Sequence, residues 1–213
     1  MAARIGIETA LDAVVRLGVL CCAVGRVQER DRALDVPLAD AERAARDGDV
    51  AGVDAARALY RAFGLDPTRT RPSSEALLRR VRRGEALPRI NTAVDVCNWC
   101  SLEVQLPYGL YDAGVLQPPV EVRRGGPGDE YAGIRKETVH LDGRLALFDG
   151  KGPFGNPTSD SARTMVTPGT SRALAVVFMP RQVAPGRLDG ALDLTAARVT
   201  RYCGGREIER LSL

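Results

Sequence analysis

The chain of 213 residues has very little histidine or lysine: His140 is the only histidine, and Lys136 and Lys151 are the only lysines. A lone histidine without a matched nucleophile gives weak support for a general base, so a surface or packing role is favoured. The positive charge lies on arginine, and the formal net charge is only +3. A GC-rich coding bias would explain the preference for arginine over lysine, and so would the recognition of phosphate groups by guanidinium groups.

The chain also lacks a long apolar segment and the glycine-rich phosphate motifs. Its apolar run Val14–Val24 is too short to span a bilayer and contains Arg16, so it predicts a buried strand. Neither a GxxxxGK[ST] nor a GxGxxG motif is present, so no nucleotide cofactor is expected. Without a signal-peptide pattern, we expect a cytoplasmic protein with neither membrane nor DNA as a partner.

Cysteine is present in odd number, at Cys21, Cys22, Cys97, Cys100 and Cys203. The odd count favours a reducing compartment. Cys97 and Cys100 form a CxxC motif, which is found in redox sites and in half of a zinc site. Since a structural zinc needs four ligands and a second CxxC is missing, we expect no metal and favour small core thiols.

Hydrophobic periodicity predicts helices in the first half and a mostly antiparallel sheet in the second, an α+β fold with helices packed on the sheet. Gly64 and the pair Gly204–Gly205 are expected to end the helices that precede them. The predicted helices are Ala39–Arg46, Val53–Phe63, Ser73 or Ser74 to Gly84, Val94–Val104 and Leu188–Tyr202. The predicted strands are Val14–Val24, Val120–Arg124, Glu137–Leu141, Leu145–Asp149, Thr164–Thr167, Leu174–Met179 and Glu207–Leu213.

An arginine-rich segment runs from Arg69 to Arg89. It holds seven arginines against Glu75 and Glu85, a local charge of seven minus two, or +5. Such a helix face could follow a phosphate backbone, although a solvated or ion-paired surface explains the same pattern. The RNA-binding candidates are Arg71, Arg79, Arg80, Arg82 and Arg83.

Two polar clusters are candidates for a binding pocket. The first follows the predicted helix Val94–Val104, where short polar residues are poor helix formers and suit specific hydrogen bonds; an ordinary amphipathic helix is the alternative. The second lies in a turn-rich segment, where loops often carry binding groups, or where the turn simply satisfies itself. The pocket candidates are Asn91, Asp95, Cys97, Asn98, Ser101, Asp160, Ser161, Arg163 and Thr164.

The motifs RPSSEALLRR, LPRIN and VDVCN occur in this order within the segment Tyr60–Asp112, and SDSARTMVTPGTSRALAVVFMP follows later. Together they resemble stand-alone proteins of the B3/B4 type and, more weakly, the tRNA-binding and editing domain of the phenylalanyl-tRNA synthetase β chain. The resemblance is best over residues 60–180. We expect one domain, 1–213, in which a strand and helix portion (1–60) precedes this core and a final helix and strand (181–213) follow it.

The resemblance implies an α+β fold with a sheet sandwich and a tRNA or aminoacyl-tRNA partner. It implies hydrolysis of mischarged aminoacyl-tRNA in trans by a positioned water, or, as the alternative, a non-catalytic module that binds RNA or an amino acid. Cys97 and Asn98 fall on the threonine–asparagine pair of the synthetase motif. The synthetase histidine falls on Gly109, and its glutamate falls within Ala173–Val177, which contains no acid.

These expectations define one arrangement. Asn91, Asp95, Asn98 and Ser101 would line a pocket together with the loop residues 160–164, and the Arg79–Arg83 face would lie near its rim.

Overall fold

The computed structural model describes residues 5–48, 50–134 and 138–213. The helices are α1 (Asp35–Asp47), α2 (Val53–Ala62), α3 (Ser73–Arg82), α4 (Thr92–Val104) and α5 (Pro185–Cys203). The strands are β1 (Ile5–Ile7), β2 (Val15–Ala23), β3 (Tyr108–Asp112), β4 (Val120–Arg124), β5 (Glu130–Ala132), β6 (Thr138–His140), β7 (Leu145–Asp149), β8 (Gly152–Gly155), β9 (Arg172–Pro180) and β10 (Arg206–Ser212).

The strands form two four-stranded sheets and a hairpin. One sheet has the order β1-β4-β7-β8 and the other the order β10-β2-β9-β3, while β5 pairs with β6. All these pairs are antiparallel except β1 with β4. The α+β class with a mostly antiparallel sheet is therefore confirmed.

The sheet β10-β2-β9-β3 lies between the helices and the other sheet. Along β2, Leu20 and Cys22 join the core beneath the helices, whereas Val19 and Cys21 join the core between the sheets. Because alternate side chains of a strand point to opposite faces, a strand that is covered on both faces must be apolar throughout. This explains the continuous apolar run that predicted β2.

All five predicted helices are present, and their ends follow the expected glycine positions. Gly64, two residues beyond α2, has φ +72°, and Gly204, directly after α5, has φ +56°. Among the described residues, no helix combines the length and the apolar character that crossing a bilayer requires.

The predicted strand Thr164–Thr167 is wrong, because a short 3₁₀ helix occupies Ala162–Thr164 and no strand follows until β9. The Ser161 hydroxyl accepts a hydrogen bond from the Arg163 N–H at 3.1 Å and so caps this turn. Glu137, the first residue of another predicted strand, lies outside the described residues, and that strand spans Thr138–His140.

Tyr111 fills the space between the two sheets. Its side chain is fully buried, and its ring meets Phe154 edge to face, with 4.9 Å between the ring centroids. The hydroxyl lies against the backbone at Gly109 and Gly155, where an added Cβ at either position would overlap it. Glycine at these two positions is therefore what allows a tyrosine, with its hydroxyl, to occupy the interior.

A buried ion-pair network joins α3 to α2. The Glu75 side chain is only 3% exposed, and its carboxylate accepts hydrogen bonds from Arg57 at 2.7 and 2.9 Å and from Arg79 at 3.0 Å. Arg71 lies 3.8 Å away. The hydrogen bonds from Arg57 hold the pKa of Glu75 below its ordinary value.

We expect Gly109→Ala to destabilise the protein by about 2 kcal/mol, because overpacking a filled interior typically has a cost of this size. In a Tyr111→Phe background the same substitution should be less costly, since the closest overlap is removed. Chemical denaturation measures both values. Gly6→Ala is the control, because open space surrounds that position. Equal costs in the two backgrounds would contradict the packing described above.

We expect Glu75→Ala to lower the free energy of unfolding by about 2 kcal/mol at neutral pH, because it removes the charge-assisted hydrogen bonds from the partly exposed Arg57 and Arg79 to a buried carboxylate. The pKa of Glu75 is lowered in the folded state, so its stabilising effect is complete above the ordinary glutamate pKa of about 4.3 and is lost as the pH falls through the folded value. The difference from wild type should thus shrink in acid. Glu85→Ala, at an exposed site, should have a much smaller effect, and equal effects would contradict the account.

Candidate functional site

A pocket of about 750 Å³ opens beside the start of α4. One wall comes from α4 and the residues before it, a second from β3, and a third from the segment 160–168. The lining residues used below are Glu29, Ile90, Asn91, Val94, Cys97, Asn98, Tyr108, Leu110, Ile134, Asp160, Met165, Val166 and Thr167. Its size is in the range of small-molecule sites.

The first turn of α4 is fixed by side-chain caps. The Asn91 carboxamide oxygen accepts a hydrogen bond from the Val94 N–H at 3.0 Å, and its amide donates to the Val166 carbonyl at 3.2 Å. Asparagine is favoured at this position because its side chain satisfies a helix N–H that has no other partner. Asn91 therefore both starts the helix and ties the pocket wall formed by 160–168 to it.

Four of the predicted pocket residues line the pocket: Asn91, Cys97, Asn98 and Asp160. The Leu110 N–H donates to the Asp160 carboxylate at 3.3 Å. The Asn98 amide makes no hydrogen bond to any other residue among those that the structure describes. Its donor and acceptor are thus available to a ligand.

The other predicted pocket residues do not line the pocket, and their polar groups bond within the protein. The Asp95 carboxylate accepts from the Ile90 N–H at 2.9 Å and from Arg89 at 2.6 Å. The Ser101 hydroxyl donates to the Leu106 carbonyl at 2.9 Å. Each group completes local backbone geometry, so neither points its polar atoms at a ligand.

The loop candidates after Asp160 are engaged in the same way. Ser161 caps the 3₁₀ turn, and Arg163 forms a two-pronged ion pair with Asp149, at 2.8 and 3.0 Å. The Thr164 hydroxyl donates to the Phe154 carbonyl at 3.4 Å. These side chains hold the loop against β8 and the turn before it.

Sequence reasoning missed the apolar part of the pocket. Tyr108 and Leu110 come from β3, Ile134 comes from the loop between the hairpin strands, and Ile90 and Met165 stand at 43% and 42% exposure. Exposed apolar residues that border a concave site suit an apolar ligand group. No local pattern marks them, because they meet only through the tertiary fold.

Cys97 is not an activated nucleophile. Burial, together with the nearby Cys100 and Asp160, raises the pKa of its thiol well above the ordinary value. The thiolate, which is the reactive form, is thus disfavoured. All five cysteines are free and buried.

A metal centre finds no support in the described part of the chain, where no group of three or more histidine, cysteine, aspartate or glutamate side chains could hold an ion. His140 lies on the β5–β6 hairpin, away from the pocket lining, and its Nδ1 is 3.0 Å from Glu130.

The arginines of α3 do not line the pocket. Arg71 and Arg79 interact with Glu75 as described, while Arg80 and Arg83 both contact Glu85. Arg82 donates only to the Gly48 carbonyl, at 3.3 Å. The local charge expected from composition is thus partly neutralised, and of the arginines in α3 only Arg82 has no acidic partner among the described residues.

Several solved structures match this chain. An N-terminal fragment of the phenylalanyl-tRNA synthetase β-subunit from Pyrococcus horikoshii matches 98% of this chain at 12% identity and a TM-score of 0.49, and the chain covers 53% of that fragment. The TILS C-terminal domain matches 36% of this chain at 16% identity and a TM-score of 0.32, over 72% of its own length. Among curated proteins, a sequence search gave no significant match.

A family model described as the B3/4 domain matches residues 55–204, which is more than half of the chain. That range includes α3, α4, both walls of the pocket formed by β3 and 160–168, and the central strand β9. This chain belongs to the B3/4 domain family.

Proposed function

We propose that this protein binds the aminoacyl end of a charged tRNA in the pocket beside α4 and hydrolyses its ester bond in trans. The observation that carries the proposal is the pocket itself, in which Asn98 and Asp160 present polar groups among apolar walls. Membership of the B3/4 family supports it, and the resemblance seen in the sequence motifs implies a domain that edits charged tRNA.

The chemistry requires a positioned water and a donor for the developing oxyanion, and a nucleophilic side chain is unnecessary. Water adds to the ester carbonyl, the bond from the carbonyl carbon to the ribose oxygen breaks, and the proton of the water passes to that oxygen. The Asn98 side-chain amide would donate to the oxyanion, because it lines the pocket and has no hydrogen bond to a described residue. Such donors act strongly where bulk water is excluded.

The body of the tRNA would lie over the exposed side of α3. Arg80 and Arg83 are 42% and 63% exposed, although they share Glu85, and Arg82 is exposed without an acidic partner among the described residues. Guanidinium groups with this freedom can contact phosphates, and these contacts would weaken with salt.

A non-catalytic binding module is the second candidate, and one observation favours it. The resemblance aligns the synthetase histidine with Gly109. The Tyr111 hydroxyl occupies the space that a side chain at this position would need. The strand β9, where the synthetase glutamate would fall, contains no acid. Binding of charged tRNA without cleavage would select this candidate.

We expect the wild-type protein to release the amino acid from at least one member of a panel of aminoacyl-tRNAs. Asn98→Ala should lower kcat by roughly 10²-fold, as is typical when an oxyanion donor is removed. Asp142→Asn is the control, since that carboxylate is exposed and outside the pocket lining. If wild type hydrolyses none of the panel, the catalytic form of the proposal fails; unchanged turnover in Asn98→Ala would exclude the role given to that residue.

We expect Arg82→Gln to weaken tRNA binding and to reduce the slope of log affinity against log salt by about one unit, as the loss of one phosphate contact does. Filter binding or fluorescence anisotropy over a salt series measures the slope. Arg181→Gln, an exposed arginine outside α3, should leave it unchanged. Equal slopes in all three proteins would remove α3 from the proposed interface.

A further inference from the structure

The buried hydroxyl of Tyr111 is not explained by packing alone. A phenylalanine would fill the same space and contact Phe154 equally well, without the cost of burying a hydroxyl group. The chain nevertheless has a tyrosine there, with glycine at both positions, Gly109 and Gly155, that the hydroxyl touches. A buried polar group of this kind is retained where it has a partner.

The candidate partner is the Asp160 carboxylate, which acts on the hydroxyl although the two groups form no hydrogen bond of standard geometry in this structure. Burial raises the pKa of Tyr111 well above its ordinary value, and the charge and hydrogen bonding of Asp160 raise it further. The hydroxyl thus stays protonated and can donate towards the carboxylate. Gly155, which the hydroxyl touches, also pairs with Asp160 through an isolated β-bridge.

A backbone donor on the same strand as Tyr111 fixes the same carboxylate. The Leu110 N–H lies 3.3 Å from Asp160 Oδ2, and Leu110 is the residue next to Tyr111 on β3. Asp160 is therefore oriented by two neighbouring residues of one strand and by its own backbone pairing with β8. A carboxylate with this many constraints is preorganised on the pocket wall and does not move freely in solvent.

The charge of the pocket lining suits a cation. Asp160 and Glu29 are its acidic members, and among the described residues that line it none carries a positive charge. Arg163, close to Asp160 in sequence, is occupied by Asp149. The phosphates of a tRNA would be repelled here, whereas the α-ammonium group of an esterified amino acid would be attracted.

We infer that Asp160 receives the positively charged α-amino group of the aminoacyl ligand and that Tyr111 is the residue that positions it. The inference rests on the proposed function and sharpens it: the substrate class is aminoacyl esters with a free α-amino group. Esters whose nitrogen is acylated lack the charge and leave the negative charge of Asp160 uncompensated by the ligand, so the pocket discriminates against them.

The test uses amides in place of esters, so that binding is measured without turnover. The probes are 3′-amino-3′-deoxyadenosine carrying phenylalanine, leucine or alanine through an amide bond, each with a free and with an N-acetylated α-amino group. Calorimetry gives the affinity ratio of each pair for wild type, Tyr111→Phe and Asp160→Asn. Tyr60→Phe is the matched control, because it also removes a buried hydroxyl, one that bonds to Thr158 outside the pocket lining.

Wild type and Tyr60→Phe should prefer the free amine by roughly tenfold or more, the usual range for a charge-assisted hydrogen bond. In Asp160→Asn the preference should disappear, and in Tyr111→Phe it should fall to within about threefold, while the affinity for the N-acetylated probe stays unchanged. Thermal melting verifies that both variants are folded. If Tyr111→Phe does not fold, Asp160→Asn still tests the role of the carboxylate.

Two outcomes would overturn the inference alone, and a third would overturn the proposed function as well. If wild type binds both members of a pair equally, the pocket does not recognise the ammonium group. If Tyr111→Phe keeps the wild-type ratio, Tyr111 does not position Asp160. If no probe binds to wild type, the proposed function fails together with everything that rests on it.

Discussion

Coverage of the central sheet on both faces is the constraint on which the rest of this structure depends. Because β2 and β9 lie between the helices and the second sheet, their side chains are apolar on both sides, apart from Arg16 and Arg172 near the strand ends. Gly18 of β2 lets α5 approach closely, since an added Cβ there would overlap Leu188. Polar side chains are consequently excluded from the middle of the sheet and lie at its edge, next to β3.

That edge is where the pocket forms. β3 is the outer strand of its sheet, so its residues can be met from one side by α4 and from the other by β8 and the segment 160–168. The Asn91 cap and the Asp160 carboxylate each bridge two of these elements. The same bonds that hold the walls together therefore also aim polar groups at the space between them.

The helices and the long central strands could be predicted from the sequence because their hydrophobic periodicity is strong. The strands β1, β3, β5 and β8 could not, because their short sequences IGI, YGLYD, EYA and GPFG lack the valine- or leucine-rich composition of the similarly short β4 and β7. Their strand character comes from pairing with distant segments and leaves no local pattern.

The candidate site shows the same division. Asn91, Asn98 and Asp160 were identified from residue type and spacing, but Asp95 has the same appearance in the sequence and bonds only to Arg89 and the backbone. Arg163 was selected as a binding group, yet its partner Asp149 is fourteen positions away and is recognisable only in the fold. Tyr111 lacks any sequence signal, since its role depends on two glycines from different sheets.

The central claim is that the aminoacyl end of a charged tRNA occupies the pocket beside α4. The most direct measurement is an NMR titration of isotope-labelled protein with the amide-linked phenylalanyl derivative of adenosine. Shift changes should concentrate on the backbone amides of residues 90–98, 108–111 and 160–167. Shift changes confined to α3 or α5, or none at saturating probe, would contradict it.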